Sequence, residues 1–267
     1  MIMYKRRHRL AGLLLPLSLG VSLGAHDGQA LTVAPGEKGI MALSDDYTSA
    51  QQDHALNDLR SMNTQWVRIA QSWDAIEPAE GRFDWSHYDQ LVPKIVSSGI
   101  KPMIVITFGT PAWARPARSS VETVPTDLAG FREFCTKIAQ RYASQGVHAW
   151  EIFNEAIFHN SAVAYGPVLK TAYRAIKSVD PSAEIITSGN PVNKVSKYGS
   201  GVSWLRDLYD LGYRPYFTAV GAHPYDYSTL PSRGGNWRYM EGNDPSMRSV
   251  MIAHGDGAKK IWVTEYG

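Results

Sequence analysis

Short β-rich runs alternate with amphipathic helical stretches from residue 36 onward, and no linker or low-complexity segment interrupts them. The pattern predicts strands at 39–44, 66–70, 102–108, 148–153, 183–188, 217–223 and 261–265. Apolar residues at helical spacing predict helices at 48–62, 87–98, 127–143, 164–179, 203–211 and 245–255. Repeated strand–helix units of this kind predict a parallel sheet with helices packed outside it.

Two architectures satisfy this alternation, a (β/α) barrel and an open doubly wound sheet. The 267 residues are enough for one barrel or for two small domains. No G-x-G-x-x-G follows any predicted strand, which removes the usual sign of a dinucleotide-binding open sheet. Periodicity alone leaves both architectures open.

The first 30 residues have the pattern of a targeting segment. Four basic residues within positions 5–9 precede an apolar run at 10–24, and Gly28-Gln29-Ala30 fits a cleavage site. About 15 apolar residues are too few to span a bilayer, which takes roughly 20. We therefore expect residues 1–30 to be a signal peptide and the protein to be secreted or held in the cell envelope. A membrane anchor or a buried helix is the alternative.

Composition excludes several classes of protein. The chain is 44% hydrophobic and 19% charged, which favours a large core, and its net charge of +2 gives no reason to expect nucleic acid as a partner. The single cysteine, Cys135, lies at helical spacing with Phe131 and Ile138, which predicts a buried thiol. Neither H-E-x-x-H nor a cysteine cluster occurs, so we expect no metal and no cofactor. The absence of G-x-S-x-G argues against an α/β-hydrolase esterase.

Two glutamates close apolar strands: Glu155 ends the run 150–155 and Glu265 ends 261–265. In a barrel, the carboxyl ends of strands four and seven open onto one face, where active sites lie. Cleavage of a glycosidic bond uses two carboxyl groups, one protonated and one ionised. A charged residue directly after a strand is also common as a solvated loop start. Glu151 is a rival acid, although its place inside strand four favours the barrel interior.

The residues around both glutamates resemble those of the retaining (β/α)8 glycoside hydrolases of clan A, including families 5 and 39. The similar motifs are Asn154-Glu155 after strand four and the Thr-Glu-Tyr-Gly that contains Glu265. The resemblance covers residues 39–267 and favours a TIM-type barrel over an open sheet. It implies that Glu155 is the acid/base, that Glu265 is the nucleophile, and that Asn154 binds the sugar 2-hydroxyl.

Further positions follow the same resemblance. Arg68 resembles a strand-two arginine beside the nucleophile, where a guanidinium keeps a carboxylate ionised. His223 and Tyr225 resemble a pair that lies near the two carboxylates. The stretches that contain Trp73 and Trp113 are also similar to the family, and these two tryptophans, like Trp237, are candidates for stacking on sugar rings or for core packing.

The resemblance implies a carbohydrate substrate and double displacement. Glu265 attacks the anomeric carbon while Glu155 protonates the leaving oxygen, with the two carboxyl groups ~5–5.5 Å apart. Glucan, xylan, mannan and exopolysaccharide all stay open, as do endo or exo cleavage and the oligomeric state, because variable loops set specificity on this scaffold.

The sequence departs from the family pattern at two places. Residues 107–109 stand where family 5 tends to have a histidine, and the sequence reaches Gly267 after only about seven β/α units. Without strand eight and its helix, strands one and seven have unpaired edges that favour aggregation. We hypothesise an incomplete gene product or fragment, so that a carbohydrate-binding protein without turnover is the alternative function. An aldolase-like barrel enzyme is disfavoured, because no strand ends in a Schiff-base lysine.

Overall fold

The computed structural model describes residues 39–41, 47–106, 109–226 and 235–266. They belong to one compact unit. The predicted signal peptide lies outside the described residues, so it and the expected export stay predictions. None of the helices in the described ranges combines the length and the apolar character needed to cross a bilayer.

Parallel strands form the central sheet. Strands within the described ranges are β1 Gly39–Met41, β2 Trp66–Gln71, β3 Lys101–Ile106, β4 Ala149–Ile152, β5 Glu184–Ile186, β6 Asn190–Pro191, β7 Lys194–Ser196, β8 Gly199–Ser200, β9 Ala219–His223 and β10 Lys260–Val263. The hydrogen-bonded order is β1-β2-β3-β4-β5-β9-β10, and β6 adds a second pairing to β9. All of these pairings are parallel, whereas β7 and β8 form a separate antiparallel hairpin.

This curled sheet confirms the predicted incomplete (β/α) barrel. The seven predicted strands correspond to β1–β5, β9 and β10, and among the described residues β1 and β10 are the two edges of the sheet. Since parallel strands connected by outer helices all have their carboxyl ends on one face, residues that follow distant strands meet there.

The α-helices cover the sheet and begin near the predicted positions. They are α1 Ser49–Ser61, α2 Trp73–Ile76, α3 Ser86–Ser97, α4 Leu128–Tyr142, α5 Ala162–Val179, α6 Gly201–Asp210, α7 Arg238–Glu241 and α8 Met247–Ala253. The Thr48 and Asp127 side chains accept backbone N–H hydrogen bonds at the starts of α1 and α4, which explains why these helices begin there. The short helices α2 and α7 and the β7–β8 hairpin are absent from the sequence prediction, since such short elements leave no periodic signal.

The interior of the sheet has an apolar layer below a polar one. The apolar layer is one cluster of residues from six strands: Trp66, Met103, Ala149, Ile186, Ala219 and Trp262. Within it, the rings of Trp66 and Trp262 meet edge to face with centroids 5.0 Å apart. Two residues further along their strands, Arg68, Glu151 and Thr264 form the polar layer, because side chains of one strand alternate between its two faces.

Candidate active site

Next to the polar layer, at the carboxyl ends of the strands, side chains from four strands form a cluster around Arg68. Arg68 comes from β2, Asn154 and Glu155 follow β4, His223 ends β9, and Glu265 follows β10. These residues are joined by the direct hydrogen bonds described below. The structure therefore brings together the groups that the sequence predicted to meet.

Arg68 is the centre of the cluster and is 3% exposed. Its Nε donates to Glu151 Oε2 at 2.7 Å, its Nη1 to Glu265 Oε1 at 2.5 Å and its Nη2 to Asn154 Oδ1 at 2.8 Å. Burial by itself lowers the pKa of Arg68, but the carboxylates of Glu151 and Glu265 outweigh it, and the pKa is raised above its ordinary value. The guanidinium therefore stays charged and holds three acceptors in fixed positions.

Glu265 is nearly buried and receives two hydrogen bonds. Its side chain is 12% exposed, with Arg68 on one oxygen and the Tyr225 hydroxyl donating to Oε2 at 2.9 Å. Both oxygens of this carboxylate thus have a donor, and its direction is fixed.

Glu155 is set apart by its backbone. Its φ of 45° and ψ of 41° lie in the left-handed region, and its N–H donates to the Gly189 carbonyl at 3.0 Å. For a residue with a Cβ this conformation costs about 1–2 kcal/mol. The side chain is 27% exposed, and its Oε1 lies 3.1 Å from His223 Nδ1. Glu155 is thus the more solvent-accessible of the two carboxyl groups.

The two carboxyl groups face each other across a short gap. One oxygen of Glu155, one oxygen of Glu265 and a ring nitrogen of His223 all lie within 4.8 Å of one another. The two carboxyl groups are therefore near enough to act on one bond from opposite sides.

By distance alone, these three groups could also surround a cation. Arg68 and Tyr225 already donate to Glu265, and His223 faces Glu155. Protein donors thus already occupy both oxygens of Glu265, and we assign the three residues no metal-ligand role.

Glu151 occupies the polar layer beneath this gap. It is 0% exposed, and besides Arg68 it accepts from the Gly189 N–H at 2.8 Å and from the Thr264 hydroxyl at 3.0 Å. Its full set of buried partners matches the expected barrel-interior role and leaves it no route to a substrate. Sequence reasoning missed Thr264 and Gly189. The available signals were the inward register of Thr264, two residues after Trp262, and a lone glycine after a strand.

The predicted sugar-stacking role of Trp73 is wrong. Its side chain is 0% exposed, and its ring stacks on Phe134 with centroids 5.3 Å apart, in the core between sheet and helices. Trp113 is half-buried, meets the edge of Trp73 at 5.3 Å and donates its indole N–H to the Glu77 carbonyl. Its role in sugar binding stays a prediction.

An aromatic pair stands at the rim beside Glu265. Tyr266 is 66% exposed, and its ring contacts that of half-buried Trp237 with centroids 5.8 Å apart. Asn236, next to Trp237, donates its side-chain amide to the Tyr225 carbonyl at 2.6 Å. The loop that holds Trp237 is therefore tied to the residue that binds Glu265.

Comparisons with known proteins find similarity to glycoside hydrolases. The model of the cellulase family, glycosyl hydrolase family 5, matches residues 30–249. The β-galactosidase BgaA from Thermus sp. is 23% identical over 163 residues, which make up 51% of this chain and 24% of that protein. The chain thus matches about a quarter of this curated relative.

Solved structures show the same fold. A family 39 glycoside hydrolase from the gut symbiont Bacteroides cellulosilyticus aligns with a TM-score of 0.66 and 23% identity, over 86% of this chain and 49% of that one. A monomeric β-xylosidase from Caulobacter crescentus aligns with a TM-score of 0.65 and 17% identity, over 86% and 52%. The chain spans about half the length of these two structures.

Proposed function

The chain belongs to glycosyl hydrolase family 5, and from this membership and the geometry of the site we propose that it hydrolyses β-linked poly- or oligosaccharides with retention of configuration. The observation that carries the proposal is the pair Glu155 and Glu265, whose oxygens approach within 4.8 Å. Their environments differ in the way that the two roles require, since Glu265 is held by cationic and hydroxyl donors and Glu155 is open to solvent.

In the first step, Glu265 attacks the anomeric carbon and forms a covalent glycosyl ester. The bond to the leaving oxygen breaks, and Glu155 transfers its proton to that oxygen. Arg68 and Tyr225 aim the attacking carboxylate through their hydrogen bonds to its two oxygens. Asn154, fixed by Arg68, presents its amide to the 2-hydroxyl of the sugar.

In the second step, Glu155 acts as a base. It removes a proton from water, whose oxygen attacks the anomeric carbon and releases Glu265 as a carboxylate. Two inversions restore the starting configuration, and both carboxyl groups return to their initial protonation states.

The substrate class rests on the relatives and on the rim. A β-galactosidase and a β-xylosidase are among the similar proteins, which supports a β-linkage. We place a sugar ring against Trp237, since aromatic faces cover the apolar faces of pyranoses. Replacing Trp237 by Ala raises KM for a β-linked oligosaccharide about five- to tenfold with little change in kcat. An unchanged KM would remove Trp237 from the binding site. Export through residues 1–30 remains part of this proposal.

Leaving-group dependence tests the assignment of the two glutamates. Glu265→Ala loses at least about 10³-fold in kcat/KM on every aryl β-glycoside. Glu155→Ala loses about 10²–10⁴-fold on 4-nitrophenyl glycosides but little in the first step on 2,4-dinitrophenyl ones, whose leaving group needs no proton.

Exposed Glu80→Ala serves as the control and retains wild-type rates. Proton NMR of the first-formed product anomer reports the stereochemistry. A first-formed α-anomer, or equal loss on both leaving groups, would overturn the proposal. Binding of a glycoside without release would identify a carbohydrate-binding protein.

A further inference from the structure

A chain of four hydrogen-bonded groups runs from the buried layer to the proposed acid/base. Glu151 Oε1 lies 3.0 Å from Thr264 Oγ1, which lies 3.0 Å from His223 Nε2, and His223 Nδ1 lies 3.1 Å from Glu155 Oε1. Glu151, Thr264 and His223 are all buried. No solvent exchange is available to rearrange these bonds, so the donors and acceptors along the chain must match one another.

The protons along this chain can be placed from Glu151 outward. Glu151 pairs with the Arg68 guanidinium and accepts the Gly189 N–H, so it is a carboxylate without a proton to offer. The single hydroxyl hydrogen of Thr264 must then point at Glu151. The opposite arrangement, with that hydrogen on His223, would leave two acceptors facing each other at 3.0 Å in a buried site.

Thr264 has one hydroxyl hydrogen, and it donates that hydrogen to Glu151. Its oxygen can therefore only accept a hydrogen bond from His223, so Nε2 must carry a proton. We propose that Glu151 and Thr264 are positioning residues that fix His223 as the Nε2–H tautomer and turn the bare Nδ1 toward Glu155. The consequence for catalysis rests on the proposed function, whereas the tautomer does not.

The fixed tautomer makes Glu155 hold its proton when the site is at rest. A protonated Glu155 donates to the bare Nδ1, whereas an ionised Glu155 faces a lone pair. The Glu265 carboxylate acts in the same direction, because its oxygen lies within 4.8 Å of one from Glu155 and two neighbouring carboxyl groups disfavour double ionisation. Its distance of 3.8 Å from Nδ1, and that of 4.0 Å between the Glu151 carboxylate and Nε2, favour a charged ring instead, which is the opposing outcome that the NMR experiment below detects. Arg68 is occupied by those two carboxylates, and the Tyr225 hydroxyl is directed at Glu265.

In the resting site this arrangement supplies the proton for the leaving oxygen. After that proton has left, the same bare nitrogen disfavours the Glu155 carboxylate and promotes removal of a proton from water. One fixed ring thus serves both steps.

Gly189 makes the arrangement sterically possible. A Cβ at this position would lie 2.3 Å from His223 Nε2, 2.5 Å from Thr264 Oγ1 and 2.6 Å from Glu151 Oε1. Only a glycine lets all three polar atoms converge on one point. The backbone there also accepts the Glu155 N–H, which links both ends of the chain of hydrogen bonds.

Nitrogen-15 NMR of the histidine rings tests the proposal on the wild-type chain without substrate. The His223 signals are assigned by their loss in His223→Gln. At pH 7 we expect a neutral ring with a protonated Nε2 and an unprotonated Nδ1. A neutral ring protonated on Nδ1, or a ring protonated on both nitrogens at pH 7, overturns the proposal. Absence of glycosidase activity would sink the proposed function but leave this result standing.

Two substitutions at one position separate positioning from folding. Thr264→Val removes the hydroxyl and frees the ring to take the Nδ1–H tautomer, which stabilises ionised Glu155. The alkaline limb of kcat/KM then moves to lower pH by about one unit. Thr264→Ser restores the hydroxyl and keeps the wild-type tautomer and limb. If Thr264→Val melts at the wild-type temperature and keeps both the wild-type tautomer of His223 and the wild-type alkaline limb, the proposal fails.

Discussion

The two ends of the same strands carry charge clusters of opposite design, each built around one buried charged residue, Arg68 or Asp256. At the carboxyl ends, two carboxylates, Glu151 and Glu265, share one guanidinium, that of Arg68, and a third carboxyl group, Glu155, lies beside His223. At the amino ends, a single carboxylate, Asp256, receives Arg214 Nε at 3.0 Å, Lys259 Nζ at 2.7 Å and the Tyr209 hydroxyl at 3.1 Å. The carboxyl-end cluster has three carboxyl groups and one guanidinium. The amino-end cluster has two cationic side chains and a hydroxyl group around one carboxylate.

This difference separates function from stability. Burial by itself raises the pKa of Asp256, but Lys259, Arg214 and Tyr209 outweigh it and hold that pKa below its ordinary value. The amino-end cluster is therefore satisfied in one protonation state. In the carboxyl-end cluster, the proposed hydrogen bond between Glu155 and His223 holds a proton that can move, as acid–base chemistry requires. On the proposed function, the excess of carboxyl groups marks the reactive end of the barrel.

Removing either carboxylate partner of Arg68 gives the largest contrast within the reactive end. Glu151→Ala removes a fully buried acceptor from the Arg68 Nε, the Gly189 N–H and the Thr264 hydroxyl together, and lowers the free energy of unfolding by about 3–5 kcal/mol. Glu265→Ala leaves Arg68 bonded to Glu151 and Asn154, so we expect the free energy of unfolding to change by less than about 1 kcal/mol. The same substitution is expected to abolish activity. Urea unfolding of both variants measures the difference. Equal destabilisation would mean that the two carboxylates are not divided between structure and chemistry.

The glycine beneath the reactive cluster gives the next largest effect. Gly189→Ala forces a Cβ against three polar atoms and lowers the free energy of unfolding by about 1–3 kcal/mol. The exposed Gly242→Ala is the control, because its added Cβ meets nothing nearer than 3.5 Å, and we expect a change within about 0.5 kcal/mol. Similar stability of the two variants would contradict the crowding at Gly189.

The amino-end cluster predicts a pH-dependent loss of stability. Asp256 has a folded-state pKa below its ordinary value of 3.8, so its stabilising contribution is complete above that pH and is lost as the pH falls through the folded value. Asp256→Asn therefore costs about 1–2 kcal/mol of unfolding free energy at pH 7, and the cost shrinks as the pH falls below 3.8 and through the folded-state pKa. Denaturant titrations at pH 7 and at a series of pH values below 3.8 check this. A pH-independent cost would show that the charge of Asp256 is irrelevant.

The smallest predicted effect concerns the backbone conformation of Glu155, the proposed acid/base. Glu155→Gly and Glu155→Ala both remove the side chain, but only glycine adopts a φ of 45° without strain. The glycine variant should be more stable than the alanine variant by about 1 kcal/mol, while neither is active on 4-nitrophenyl glycosides. Thermal melting of the pair measures it, and a more stable alanine variant would refute the strained conformation.

The sequence predicts the elements of both ends but not their contacts. Apolar runs locate the strands, and two glutamates after strands four and seven must share a face once the sheet is parallel. The burial of Trp73 was not predictable, because an aromatic residue after a strand looks the same whether it turns to the cleft or to the helices.

The chain of hydrogen bonds to Glu155 could not be predicted from the sequence, for a different reason. Glu151, Thr264 and His223 come from three different strands, so their distances depend on register and on the missing Cβ of Gly189. Local pattern determines the period of a strand, whereas non-local packing determines which inward side chains touch.

Covalent trapping tests the central claim most directly. The chain is incubated with 2,4-dinitrophenyl 2-deoxy-2-fluoro-β-glycosides, which form the glycosyl ester readily and release it slowly. We expect the intact mass to rise by one fluoro-sugar, with the label located on Glu265 by peptide sequencing and absent from Glu265→Ala. A label on Glu155 or Glu151, or turnover of unsubstituted aryl glycosides without any trapped ester, would contradict the assignment of Glu265 as nucleophile.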